Sequence, residues 1–122
     1  MVRMTCVLWR KPGLTPAEFH RHWQEVHGPL IATTRSGQYV LRYEQHPRPL
    51  SDYAGDDDAG SDGITIQWFE SIDAYRASVA EPDFARIWED VTTFLDVDRL
   101  EPVLTAEPIV VFDRFSEATA GP

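Results

Sequence analysis

Four histidines, His20, His22, His27 and His46, are the residues best suited to hold a metal or move a proton near neutral pH. Three of them sit in one stretch with helical patterning. Two helical metal ligands need i,i+3 or i,i+4 spacing to leave the same side of the helix. His20 and His22 point ~200° apart around the axis. His20 and His27 share a stripe but are separated by ~10.5 Å along it. His22 and His27 differ by five positions. No pair chelates by itself, and no metal site is expected. His27 differs in context. It lies at the edge of an apolar stripe of Phe19, Trp23, Val26 and Leu30, directly before Gly28-Pro29. An inward-facing imidazole there could take or give a proton at working pH. The competing reading is a packed histidine bonded to a carbonyl freed by a kink. His20 and His22 read as solvated helix residues.

Tyrosines are the next candidates. Tyr39, Leu41 and Tyr43 alternate with Val40, Arg42, Glu44 and His46. On one strand face, two tyrosines would either line a pocket with rings and hydroxyls or pack across the sheet. Trp9 and Trp68 are open between core and pocket wall in the same way. Asp56-Asp57-Asp58, Gly60 and Asp62 do not match a calcium loop. The glycine falls at the wrong place, and Gln67 stands where a bidentate Glu is needed. There is no G-x-G-x-x-G, phosphate loop or G-x-S-x-G. Cys6, among apolar strand residues, reads as inert packing.

These side chains need elements to position them. Residues 4–9 read as a strand closed by Lys11-Pro12-Gly13. Thr15, Pro16 and Glu18 form a capping box with proline in the first turn, and Leu14 with Phe19 can staple it. The helix that follows should kink or restart after His27. Gly37 opens a second strand over 38–46. Residues 47–63, with five Asp, read as a long solvated loop. Residues 64–70 make a third strand. A helix from about Ser71 carries Ile72, Tyr75 and Val79. Pro82 interrupts it, and Phe84, Ile87, Trp88, Val91 and Leu95 resume the stripe. Pro108 introduces a last strand over 109–115, and 116–122 reads as a flexible tail.

The order β-α-β-β-α-β matches a ferredoxin-like α+β unit with an antiparallel sheet, here one domain over 1–115. Its strands are apolar on both faces: Met4, Cys6 and Leu8 against Val7 and Trp9, Ile109 and Val111 against Val110 and Phe112. Helices cover one face only, so the expected assembly is a homodimer packed sheet on sheet. Composition limits the partners further. A net charge of −9 in 122 residues argues against nucleic acid and against anionic membranes. No stretch reaches the ~20 apolar residues of a membrane span. One cysteine and no signal-like start point to a cytoplasmic protein.

The run Leu8-Trp9-Arg10-Lys11-Pro12-Gly13-Leu14-Thr15-Pro16-Ala17-Glu18-Phe19, then His22-Trp23, then Val26-His27-Gly28-Pro29-Leu30, resembles the opening motif of the EthD family. Residues 39–46 and the stretch ending in Trp68-Phe69-Glu70-Ser71 are similar to its second and third strands, and Leu104-Thr105-Ala106-Glu107 resembles the T-x-E before its last strand. The resemblance implies a dimeric α+β barrel. Similar barrels include muconolactone-type isomerases, aromatic polyketide cyclases, cofactor-free monooxygenases and haem-binding relatives. The family's recurring histidine falls on His27, its tryptophan on Trp23, and a further histidine on His46. The long acidic loop departs from the compact family loop.

Together these readings give a candidate site. His27 would take a proton alpha to a carbonyl, with Tyr39 or Tyr43 on the developing enolate. Trp23, Tyr43, His46 and Trp68 would bind the substrate, a small apolar carbonyl, lactone or phenolic compound. No metal or organic cofactor is required. The alternative is a non-catalytic binding protein for an apolar metabolite, since a dry aromatic cleft serves either purpose. Haem ligation by His27 is a third option, without C-x-x-C-H to support it.

Overall fold

Thr15 caps the first helix as its sequence suggests. Its hydroxyl accepts from the Glu18 N–H at 3.2 Å, and the Glu18 carboxylate accepts from the Thr15 N–H at 3.0 Å. In the structure, a computed structural model that describes residues 1–119, α1 spans Pro16–His22. The expected kink or restart after His27 takes the form of a π turn, Trp23–His27, after which the helix resumes as α2, Gly28–Ala32. Pro29 has no N–H to return to the preceding turn, and the Gly28 N–H reaches back five residues to the Trp23 carbonyl. The wider turn moves the buried stripe. Phe19, Trp23, His27 and Ile31, each four apart, are buried, whereas Val26 is exposed. The α-helical spacing that placed Val26 inward fails at this turn.

Four antiparallel strands, β1 (Val2–Leu8), β2 (Arg42–Pro47), β3 (Gly63–Phe69) and β4 (Val103–Thr105), lie in the order β2-β3-β1-β4. This is the ferredoxin-like α+β architecture. β1 pairs along its whole length with β3, from Val2↔Phe69 to Leu8↔Gly63. One face of the sheet carries Met4, Cys6, Leu8, Tyr43, Gln45, Thr65 and Gln67. It meets the helices, with Cys6 and Leu8 in one core cluster with Phe19, Trp23, Ile31 and Phe94. The other face carries Arg3, Val7, Ile64, Ile66 and Trp68, with Val7 and Ile64 exposed.

The second expected strand starts late. Residues 38–41 are not in it. Thr34 instead caps a short helix, α3 (Arg35–Gln38), by accepting from the Gly37 N–H at 2.8 Å, and Tyr39 is its C-cap. Gly37 is a packing residue here, since a Cβ on it would collide with the Ile31 carbonyl. Tyr39 and Tyr43 therefore do not share a strand face.

The last expected strand, 109–115, is not formed. β4 pairs Thr5↔Val103 through Arg3↔Thr105, so residues beyond 107 run past the beginning of β1 and meet no partner strand. Ile109, Val110, Val111 and Phe112 are instead 68–90% exposed. A short helix, α6, covers Phe115–Thr119. Of the expected tail, 120–122 lies outside the described residues.

After β3, Ser71 caps α4 (Ile72–Ala80) and Pro82 separates it from α5 (Phe84–Phe94). On α5, Ile87, Val91 and Phe94 are buried, but Trp88 is largely exposed.

The loop between β2 and β3 is solvated only in part. Asp62 is fully buried and anchors it. Its carboxylate accepts from the Arg10 backbone N–H, the Arg10 guanidinium and the Tyr53 hydroxyl, each at 2.7 Å. Arg10 also donates to the carbonyls of Asp56 and Asp58. His20, expected in solvent, is buried beside this network. Tyr53 spends its hydrogen on Asp62, so His20 Nε2–H donates to the Tyr53 oxygen at 3.0 Å. Burial pulls the His20 pKa below its ordinary value, with Asp62 opposing and Arg10 adding to the shift.

Candidate functional site

Between the helices and the inner face of the sheet lies a cavity of about 170 Å³. The π turn delivers two residues to it, Trp23 and His27. β2 contributes Tyr43 and β3 contributes Thr65. α5 closes the side with Ile87, Val91 and Phe94.

His27 is held by a carboxylate from α5. Its Nδ1 lies 2.8 Å from Asp90 Oδ2, and His22 Nε2 lies 2.9 Å from Asp90 Oδ1. A carboxylate only accepts, so both histidines donate to it. The hydrogen on Nδ1 leaves Nε2 of His27 with a free lone pair. The Phe94 ring lies tilted against both imidazoles, with centroids 4.8 Å away. Burial lowers the His27 pKa below its ordinary value. The Asp90 hydrogen bond and charge oppose that shift, and His22 adds to it. The net result is a neutral, oriented imidazole at pH 7. This is the state a general base needs, with a carboxylate placed to support the cation it becomes. His22, expected in solvent, is half-buried as the outer member of this chain.

Tyr43 packs beside Gly28. A Cβ there would sit at ordinary contact distance from Tyr43 Cε1, 3.6 Å, but would crowd Gln45 Nε2 at 3.0 Å. The Tyr43 oxygen accepts from the Trp23 indole N–H at 3.2 Å and from Gln45 Nε2 at 3.1 Å. Gln45 Nε2 also donates to the Trp23 carbonyl, at 2.7 Å. Burial raises the Tyr43 pKa, so it stays a neutral O–H donor.

Three of the six candidate residues, His27, Trp23 and Tyr43, thus converge on one cavity. The other three do not line it. Tyr39 donates to Glu81 at 3.0 Å. His46 is bonded to Glu44 at 2.7 Å on the open face of the sheet. Trp68 lies on that same face, with Arg3 and Arg42 at 5.2 and 5.7 Å from its ring. Sequence reasoning missed Asp90. A signal was available: it falls three residues after Ile87 and four before Phe94, an acid on an apolar helix face. The Arg10–Asp62–Tyr53–His20 network had no such local signal. Among the described residues, no group of three His, Cys, Asp or Glu could hold a metal ion. No described helix is long and apolar enough to cross a membrane.

The EthD domain family matches residues 11–98. No curated protein matches the chain. Similar solved structures include the Arabidopsis thaliana protein At3g17210, at 14% identity and a TM-score of 0.64, covering 92% of this chain and 100% of the other. An EthD family protein from Bacillus halodurans is 13% identical with a TM-score of 0.63, covering 88% and 100%. SnoaB from Streptomyces nogalater, a cofactor-independent oxygenase, is 17% identical with a TM-score of 0.60, covering 92% and 97%.

Proposed function

Because the chain belongs to the EthD family, we propose that it is a cofactor-independent enzyme for a small apolar carbonyl, lactone or phenolic compound, with His27 as its base. One observation carries the reading: a buried histidine on the cavity wall, neutral at Nε2 and held from behind by Asp90. SnoaB, which shares the fold, works without a cofactor. His27 Nε2 takes a proton from a carbon next to a carbonyl, and Asp90 supports the imidazolium. The Tyr43 O–H donates to the enolate oxygen. Return of the proton to another carbon of the conjugated system completes an isomerisation, and attack of the enolate carbon on a second carbonyl of the same molecule, with the proton passing to the new alkoxide, completes a cyclisation. Tyr43 takes the role shared at first with Tyr39, which bonds to Glu81 outside the cavity. Trp23 forms the wall beside it. The protein acts as a homodimer joined through the open face of the sheet.

The test is proton exchange in D₂O. Wild type and His27→Ala are incubated with small enones, lactones and phenols, and deuterium incorporation is followed by NMR. General-base assistance supplies roughly 10²–10⁴-fold, so exchange should fall by at least about 100-fold in the variant. Equal exchange in both proteins overturns the assignment of His27. Binding to wild type without any exchange makes this a binding protein for an apolar metabolite.

A further inference from the structure

Thr65 is a polar residue of the cavity wall that the reaction above does not use. Thr65, on the helix-facing side of β3, is 7% exposed, lines the cavity, and its Oγ1 makes no hydrogen bond among the described residues. Its neighbour is the Tyr43 hydroxyl. A valine would fill the same space on a strand without burying an unpaired oxygen, so the hydroxyl carries a cost that packing does not explain.

The hydrogen-bond inventory of Tyr43 shows what the pair can do. Its oxygen already accepts from Trp23 and Gln45. The Gln45 orientation is fixed, because the same nitrogen donates to the Trp23 carbonyl. The phenolic oxygen has no acceptor capacity left, and only its hydrogen is unspent. No bond joins that hydrogen to Thr65 Oγ1, so the Tyr43 hydrogen and the Thr65 hydroxyl are both left for whatever lies inside.

We infer that Thr65 and Tyr43 together form an oxygen anchor that selects a neutral, single-ring ligand bearing a carbonyl or phenolic oxygen. This rests on the proposed reading of the cavity as a substrate site and adds its specificity. Neutrality follows from the walls. None of the residues lining the cavity is Lys, Arg, Asp or Glu, and its one histidine, His27, is neutral at pH 7, so a carboxylate or ammonium ligand would lose its hydration without a standing counter-charge. Size follows from the volume. An apolar cavity of ~150 Å³ accepts benzene, and about 170 Å³ leaves room for one ring with a small substituent.

The experiment uses phenol and toluene, which match in shape and differ in the oxygen, with benzoate as an anionic probe. Binding to the full chain is measured at pH 7 by chemical-shift titration of cavity residues. Thr65→Val should weaken phenol by about tenfold and leave toluene unchanged, and Thr65→Ser should restore phenol binding. Benzoate should bind wild type at least tenfold more weakly than phenol. Equal effects of Thr65→Val on phenol and toluene, or no effect on either, overturn the anchor while leaving the cavity a ligand site. Benzoate binding as tightly as phenol overturns the neutral class. If neither phenol nor toluene moves any cavity resonance, both the anchor and the substrate-site reading fail.

Discussion

At His27, two opposing influences meet, and the direction of each is testable. Burial disfavours the imidazolium, while Asp90 favours it. In Asp90→Asn the favourable charge is gone and the burial remains. The His27 midpoint in an NMR pH titration should therefore move further down, and the acid limb of the exchange rate should move with it. An upward move would show that Asp90 does not support the cation. Stability carries the same sign. The pKa values of both His20 and His27 are lowered in the folded chain, against about 6.5 when unfolded. Below that value the unfolded state binds more protons. The stabilisation is complete above about pH 6.5 and is lost as pH falls through the lowered folded values. Melting temperature should drop between pH 7 and 5. His20→Gln keeps a donor towards Tyr53 and should flatten that slope, and an unchanged slope would exclude His20 as a contributor.

Elements show where local chemistry was enough and where it was not. The Thr15–Glu18 capping box was legible because capping depends on residues three apart, and Thr15→Ala should cost about 1 kcal/mol in denaturant melts. The π turn was not legible as such. The sequence shows Gly28-Pro29, but the widened turn is set at the Trp23 carbonyl, which accepts from the Gly28 N–H and from Gln45 Nε2 on β2, 22 residues away. That turn moved the inward position from Val26 to His27, so the site residue was found while its mode of display was not. The anchored loop is the least local case. Arg10 and Asp62 are 52 residues apart and meet only because β1 and β3 pair end to end. The pair is nearly buried, with side chains 10% and 1% exposed. Asp62→Ala leaves the Arg10 charge without its partner and should cost about 3–5 kcal/mol. A loss under 1 kcal/mol would mean that water reaches Arg10 freely.

For the whole molecule, the sheet has one face covered and one open. Val7, Ile64, Ile66, Trp68 and Val103 lie on the open face, and Val7 and Ile64 are each 37% exposed. The run Ile109–Phe112 adds a second apolar surface that its own chain does not cover. Exposed apolar side chains in this number call for an occupant. In the sequence the two-faced pattern of β1 makes the first demand, while the pattern over 109–112, read as a strand, is that of the exposed run. A second copy answers both, if the open faces pack together and the run from each chain lies across its partner. Sedimentation should then give twice the 13.9 kDa chain mass at micromolar concentration. Ile64→Asp places a carboxylate in the centre of the packed faces and should yield a folded monomer. The run can be separated from the face with Ile109→Ser and Val111→Ser together. These should raise the dimer dissociation constant by at least tenfold in the otherwise wild-type chain. In the Ile64→Asp background they should leave melting unchanged, because within one chain those side chains already face water. A wild-type chain that sediments as a monomer would remove the second copy as the occupant. A fall in melting temperature in the monomeric background would mean that the run packs on its own chain instead.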